Sequence, residues 1–119
     1  MESKELIEVI AKACEDKRAG DIVALDMQDV SLMADYFLIC HGSNERQVQA
    51  VARAIKESMD EVDIDVKRME GFEQARWILV DLDDVVCHIF HQDERNYYNL
   101  ERLWGDATKV ELQIAGNSR

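Results

Sequence analysis

The chain has no proline, only three cysteines and five glycines in 119 residues, and few cations: 14 Lys and Arg against 25 Asp and Glu. Each shortage removes a class of protein. Without proline there is no polyproline segment, and neither repeats nor low-complexity tracts interrupt the sequence. The cysteines, Cys14, Cys40 and Cys87, are odd in number, form no Cys-x-x-Cys and each lie in an apolar run. They read as small buried hydrophobes in a reducing, cytoplasmic compartment, not as a disulfide frame. No apolar run approaches the length of a bilayer-spanning helix, and the first residues look like neither a signal peptide nor a basic transit peptide. The net charge of −11 argues against a direct grip on a phosphate backbone and against sequence-specific nucleic-acid binding. The same charge suits a basic protein partner, although solubility alone also accounts for it.

What is present is enough apolar material for one core. At 119 residues and 47% hydrophobic, the chain fits a single domain and not two. A helix is expected from Ser3, as its cap, to about Ala19, with Leu6, Val9, Ile10, Ala13 and Lys17 in one stripe and Gly20 as a left-handed stop. Short strands follow at Asp21 to Leu25 and Tyr36 to Cys40. A second helix starts near Ser43 or Asn44, with Val48, Val51, Ala52, Ile55, Met59 and Val62 on one face. A strand at Ile64 to Arg68 and a turn at Glu70-Gly71 come next. The strongest strand signal is the pair Arg76 to Asp81 and Val85 to His91. A two-residue turn at Asp83-Asp84 would set Trp77 opposite Phe90, Leu79 opposite His88 and Asp81 opposite Val86. Arg76, Ile78 and Val80 would then share the other face with Cys87 and Ile89. A last helix is expected from about Asp93 to Trp104, and Val110, Leu112 and Ile114 alternate as an edge strand would. The order is that of an α/β fold: one domain with a mixed β-sheet of about five strands flanked by helices.

Several constellations could carry chemistry. His41, His88 and His91 lie near Cys40 and Cys87, but neighbours in a strand point to opposite faces. Neither Cys40 with His41 nor Cys87 with His88 can therefore serve one metal ion, and a Cys-His nucleophile fails likewise. The more serious enzymatic reading is metal-dependent nucleotidyl transfer. Gly42-Ser43 opens a helix, and Asp63 and Asp65, two apart in a strand, would share a face suited to clamping metal ions. Against it, the intervening helix is long and no third carboxylate is assigned. Trp77, His88 and Phe90, with Asp81 at the turn end, form an aromatic patch amid carboxylates, as a hot spot for a basic partner would. The competing reading is that a terminal helix covers this face and makes Trp77 and Phe90 core. Tyr97, Leu100 and Trp104 recur at helical spacing, as a core stripe does.

A family resemblance runs from about residue 4 to residue 107. Asp21-Ile22-x-x-Leu25-Asp26, Ser31, Ala34-Asp35-Tyr36-Phe37 and Gly42-Ser43 with Arg46-Gln47-Val48 resemble the first half of the Iojap-type ribosomal silencing factors. Glu70-Gly71, Trp77-Ile78-Leu79-Val80-Asp81 and Asp84-Val85-Val86-x-His88-Ile89-Phe90 resemble their hairpin. Arg95-x-x-Tyr98-x-Leu100-Glu101-x-Leu103-Trp104 resembles their last helix. The resemblance implies a nucleotidyltransferase-like fold without that activity or any cofactor or metal, spanning residues 1–107, with 108–119 as an edge strand or tail. It implies binding to the large ribosomal subunit at its fourteenth protein, on the face that meets the small subunit. Subunit joining would thereby be blocked and translation lowered when nutrients are scarce. It also implies a homodimer when free. Trp77, Asp81, His88 and Phe90 are the expected docking residues, with Asp84, Tyr36 and Tyr98 completing the set. The chain departs from the family at Ala75, where glycine is usual, and at Leu82-Asp83 in place of Tyr-Gly. Asp tolerates a positive φ less well than glycine, so the turn is costlier here.

Overall fold

Helix α1 (Ser3–Asp16) and helix α2 (Glu45–Glu61) end in the same motif, and neither uses glycine. A computed structural model describes residues 2–30, 32, 34–94 and 107–113. After α1, Arg18 takes the left-handed conformation (φ 60°), its N–H donating to Glu15 O at 2.8 Å while Ala19 N–H reaches Cys14 O at 3.0 Å. After α2, Asp63 (φ 57°) donates to Asp60 O at 3.2 Å and Ile64 to Met59 O at 2.9 Å. These are the paired bonds of a Schellman cap, which satisfy the last carbonyls of each helix. The expected stop at Gly20 is therefore corrected, because α1 reverses two residues earlier. Gly20 instead leaves room for the His41 ring, which a Cβ there would force to shift. Ser3 does not cap α1 either; its hydroxyl donates to Asp35 Oδ2 at 3.3 Å. Asn44 does cap α2, accepting from Gln47 N–H at 2.8 Å.

The strands are β1 (Gly20–Asp26), β2 (Tyr36–Gly42), β3 (Arg68–Glu70), β4 (Trp77–Asp81), β5 (Val85–His91) and β6 (Thr108–Val110). They form one sheet in the order β3-β4-β5-β2-β1-β6, parallel only between β2 and β5. The sheet is mixed, as expected, with six strands among the described residues where about five were expected. The strand expected at Ile64 to Arg68 is instead Arg68–Glu70. Ile64 is spent on the α2 cap, and pairing with β4 begins only where Lys67 N–H reaches Asp81 O at 2.9 Å. At the other edge Thr108, Lys109 and Val110 pair with Asp26, Leu25 and Ala24, and Gln113 N–H donates to the Glu8 carboxylate at 2.9 Å.

Strand alternation divides the interior in two. On one face Ile22, Ala24, Tyr36, Leu38, Cys40, Ile78, Val80, Val85, Cys87 and Ile89 meet Leu6, Ile7, Ile10 and Cys14 of α1 and Val48, Val51, Ala52, Ile55 and Met59 of α2. The opposite face carries Leu25, Ile39 and Phe90, with Val23 and Phe37 packed against them. No helix of the described residues is long and apolar enough to cross a membrane. Residues 92–94 begin helical backbone, but the rest of the expected last helix, with Tyr97, Tyr98, Leu100 and Trp104, lies outside the described residues, as does Ile114.

Candidate docking site

The β4–β5 hairpin has the register its sequence dictates: Trp77 pairs with Phe90, Ile78 with Ile89, Leu79 with His88, Val80 with Cys87 and Asp81 with Val86. Leu82 N–H donates to Val85 O at 2.9 Å and Asp84 N–H to Leu82 O at 3.1 Å, with Asp83 between them at φ 76°. That is a γ-turn of the strained sign, held by a side chain: Asp81 Oδ1 accepts from Asp83 N–H at 2.9 Å. Asp81 also accepts from Arg68 Nε at 3.2 Å, and Lys67 pairs with Asp83 at 3.1 Å. These exposed pairs add little stability, but they tie the edge strand to the hairpin tip.

On the face away from the helices, Trp77 stands on a built base. Its Nε1–H donates to His88 Nδ1 at 3.1 Å, and its ring lies 4.9 Å from that of Phe90 with 32° between planes. Phe37 meets the His88 ring edge-on at 4.7 Å. Burial pushes the pKa of His88 down to about 4, so the imidazole is neutral at physiological pH. Accepting through Nδ1 then places its proton on Nε2. The result is a large apolar ring, 38% exposed, whose polar tip is hydrogen-bonded.

The candidate residues do not all share this surface. His88 and Phe90 are 4% and 0% exposed, so they support Trp77 and do not themselves present contact area. Asp81 is half-buried and committed to the turn, whereas Asp84 is exposed. Tyr36 is corrected: it lies on the opposite face, buried in the core beneath the helices. Tyr98 lies outside the described residues. Phe37 belongs to the site and escaped the sequence reading. Phe37 reaches His88 because β2 pairs in parallel with β5 along its whole length, Ile39 beside His88, and nothing local announces that partnership.

The enzymatic alternative does not assemble. Ser43 spends its N–H and its hydroxyl on Gln47 Oε1, at 2.7 and 3.0 Å, so it serves the start of α2. Asp63 and Asp65 lie outside any strand, and Asp63 caps the far end of α2. The 17 residues of α2 put roughly 25 Å between the two sets. A shallow recess at the start of α2 is lined by Asn44, Glu45, Arg46 and His91, with neither Asp63 nor Asp65 in it. The thiols are buried on the helix side, Cys14 and Cys40 with sulfurs 4.0 Å apart, and burial pushes the pKa of the Cys87 thiol up. The described residues hold no group of three or more His, Cys, Asp or Glu side chains suited to a metal ion.

Comparison with known proteins agrees with this architecture. The family model described as "Ribosomal silencing factor during starvation" matches residues 1–119. The ribosomal silencing factor RsfS of Bacillus subtilis (strain 168) is 61% identical over 117 residues, covering 98% of this chain and 99% of the relative. A crystal structure from Bacillus halodurans, 54% identical, superposes with a TM-score of 0.83 over 92% of this chain and 100% of that one. The chloroplastic Iojap protein of Arabidopsis thaliana is 28% identical over 92% of this chain and 46% of its own length. On a match that spans the whole sequence, this chain belongs to the ribosomal silencing factor family.

Proposed function

We propose that this chain represses translation in the cytoplasm, without catalysis or cofactor, by docking on the large ribosomal subunit and keeping the small subunit away. The observation that carries the docking is Trp77, a half-exposed indole fixed from beneath by His88 and Phe90. Ordered aromatics of this kind lose little entropy on binding and anchor protein interfaces. The partner is a basic ribosomal protein, the fourteenth of the large subunit in the resemblance above. The net charge of −11 and the exposed Asp83 and Asp84 at the hairpin tip, roughly 20 Å along the hairpin from the indole, favour such a partner. One interface of ordinary size covers both. Repression then needs only that the bound factor occupy space required by the small subunit. When free, the chain forms a homodimer, which sedimentation equilibrium measures.

The test is a photo-crosslinking residue at position 77, irradiated on purified large subunits. A crosslink to the fourteenth protein is expected. Crosslinking only to another ribosomal protein, or none above a control with the residue placed on α1, overturns the reading.

A further inference from the structure

Trp77 is held from two directions, and one of them begins on the opposite side of the sheet. Between β3 and β4 the chain reverses over residues 71–75, where Ala75 N–H donates to Gly71 O at 3.0 Å. Gly71 has φ 80° and Ala75 φ 55°, and Ala75 is fully buried. A Cβ on Gly71 would collide with the Trp77 carbonyl oxygen, so the reversal bears directly on the first residue of β4. Two side chains of α2 grip it. Gln49 Nε2 donates to the Phe72 carbonyl at 2.9 Å. Arg53, one turn further, sets its guanidinium carbon 5.0 Å from the Phe72 ring centre. Phe72 packs, partly buried, against the helix-side core.

A left-handed alanine is a costly conformation that persists only where its surroundings enforce it. Ala75 is held by the core around it, and further contacts to the same reversal, at Phe72, come from the polar side of α2. We infer that Gln49 and Arg53 are positioning residues for the docking site. They clasp the 71–75 reversal and through it set the direction in which Trp77 leaves the sheet, so side chains that never meet the ribosome control affinity for it. The inference rests on the docking reading proposed above. Loss of the clasp frees the reversal to relax towards an ordinary alanine conformation, and β4 turns with it at Trp77. The ring contacts to His88 and Phe90 resist that turn, so the effect is partial.

The test uses the full chain carrying Trp104→Phe, which leaves Trp77 as the sole tryptophan, with and without Gln49→Ala and Arg53→Ala together. Three quantities are read: thermal unfolding, Trp77 fluorescence anisotropy, and co-sedimentation with purified large subunits. The clasp variant should unfold cooperatively, show lower anisotropy and bind about three- to tenfold more weakly. Equal anisotropy and equal affinity overturn the inference. If the double variant fails to fold, Gln49→Met and Arg53→Lys, made singly, remove the hydrogen bond and weaken the ring contact with little change of volume, and are read the same way. A Trp77→Ala chain that binds as tightly as its parent overturns the docking reading and with it the link to affinity. A Trp77→Ala chain that no longer binds, beside a clasp variant that binds normally, overturns the clasp alone.

Discussion

His88 makes the stability of this protein depend on pH in a way that can be worked out beforehand. In the folded chain burial pushes its pKa down to about 4, whereas in the unfolded chain it returns to about 6.5. Between those values the unfolded state binds a proton that the folded state refuses. The stability contributed by neutral His88 is therefore complete above about pH 6.5 and is lost as the pH falls towards 4. The full gap corresponds to about 3 kcal/mol, and about 2 kcal/mol of it is gone by roughly pH 5. Urea unfolding of the parent and of His88→Gln between pH 7 and pH 5 measures this. Glutamine still accepts from the Trp77 N–H but does not titrate, and the carboxylates titrate alike in both proteins. The difference between the two pH profiles thus isolates His88. Parallel profiles would refute the claim that a buried neutral imidazole supports Trp77. Protonation also removes the acceptor at Nδ1, so the indole should loosen over the same range.

Other substitutions separate support from contact. Phe90→Ala removes a fully buried ring and should cost about 3–5 kcal/mol in urea unfolding, whereas Trp77→Ala, at a site already 38% exposed, should cost about 1–2 kcal/mol. Asp63→Gly relieves a left-handed residue at the α2 cap and should raise stability by about 0.5–1 kcal/mol, read as a higher urea midpoint. A loss of stability there would contradict the capping role. Asp84→Lys should weaken large-subunit binding and flatten its salt dependence, because Asp84 is exposed and its side chain makes no ion pair among the described residues. Unchanged affinity at low salt would remove the hairpin tip from the interface.

The parts legible in the sequence were those governed by a local period. Alternation in two runs joined by a two-residue turn fixes a register, and the pairing of Trp77 with Phe90 followed from it. The apolar stripe of α2 and its Asn44 cap were readable for the same reason. What escaped depends on contacts distant in sequence. Tyr36 faces the helices because β2 lies parallel to β5, with Tyr36 beside Val85, a pairing no turn announces. The burial of His88 and Phe90 depends on what packs over a strand, and alternation alone does not reveal that. Arg18, Asp63, Ala75 and Asp83 adopt positive φ without being glycine, and of these reversals only that at 71–75 is also marked by a glycine, Gly71. Two of them, Ala75 and Asp83, are the positions at which the resemblance described above leads one to expect glycine, and both still adopt a positive φ.

The most direct test of the central claim is the fraction of joined ribosomes on a density gradient, measured when large subunits meet this protein before small subunits are added. Joining should fall as the parent protein is added and should return to its untreated level with Trp77→Ala at the same concentrations. Joining that is unaffected by the parent, or blocked equally by Trp77→Ala, would contradict occlusion through a Trp77-anchored interface.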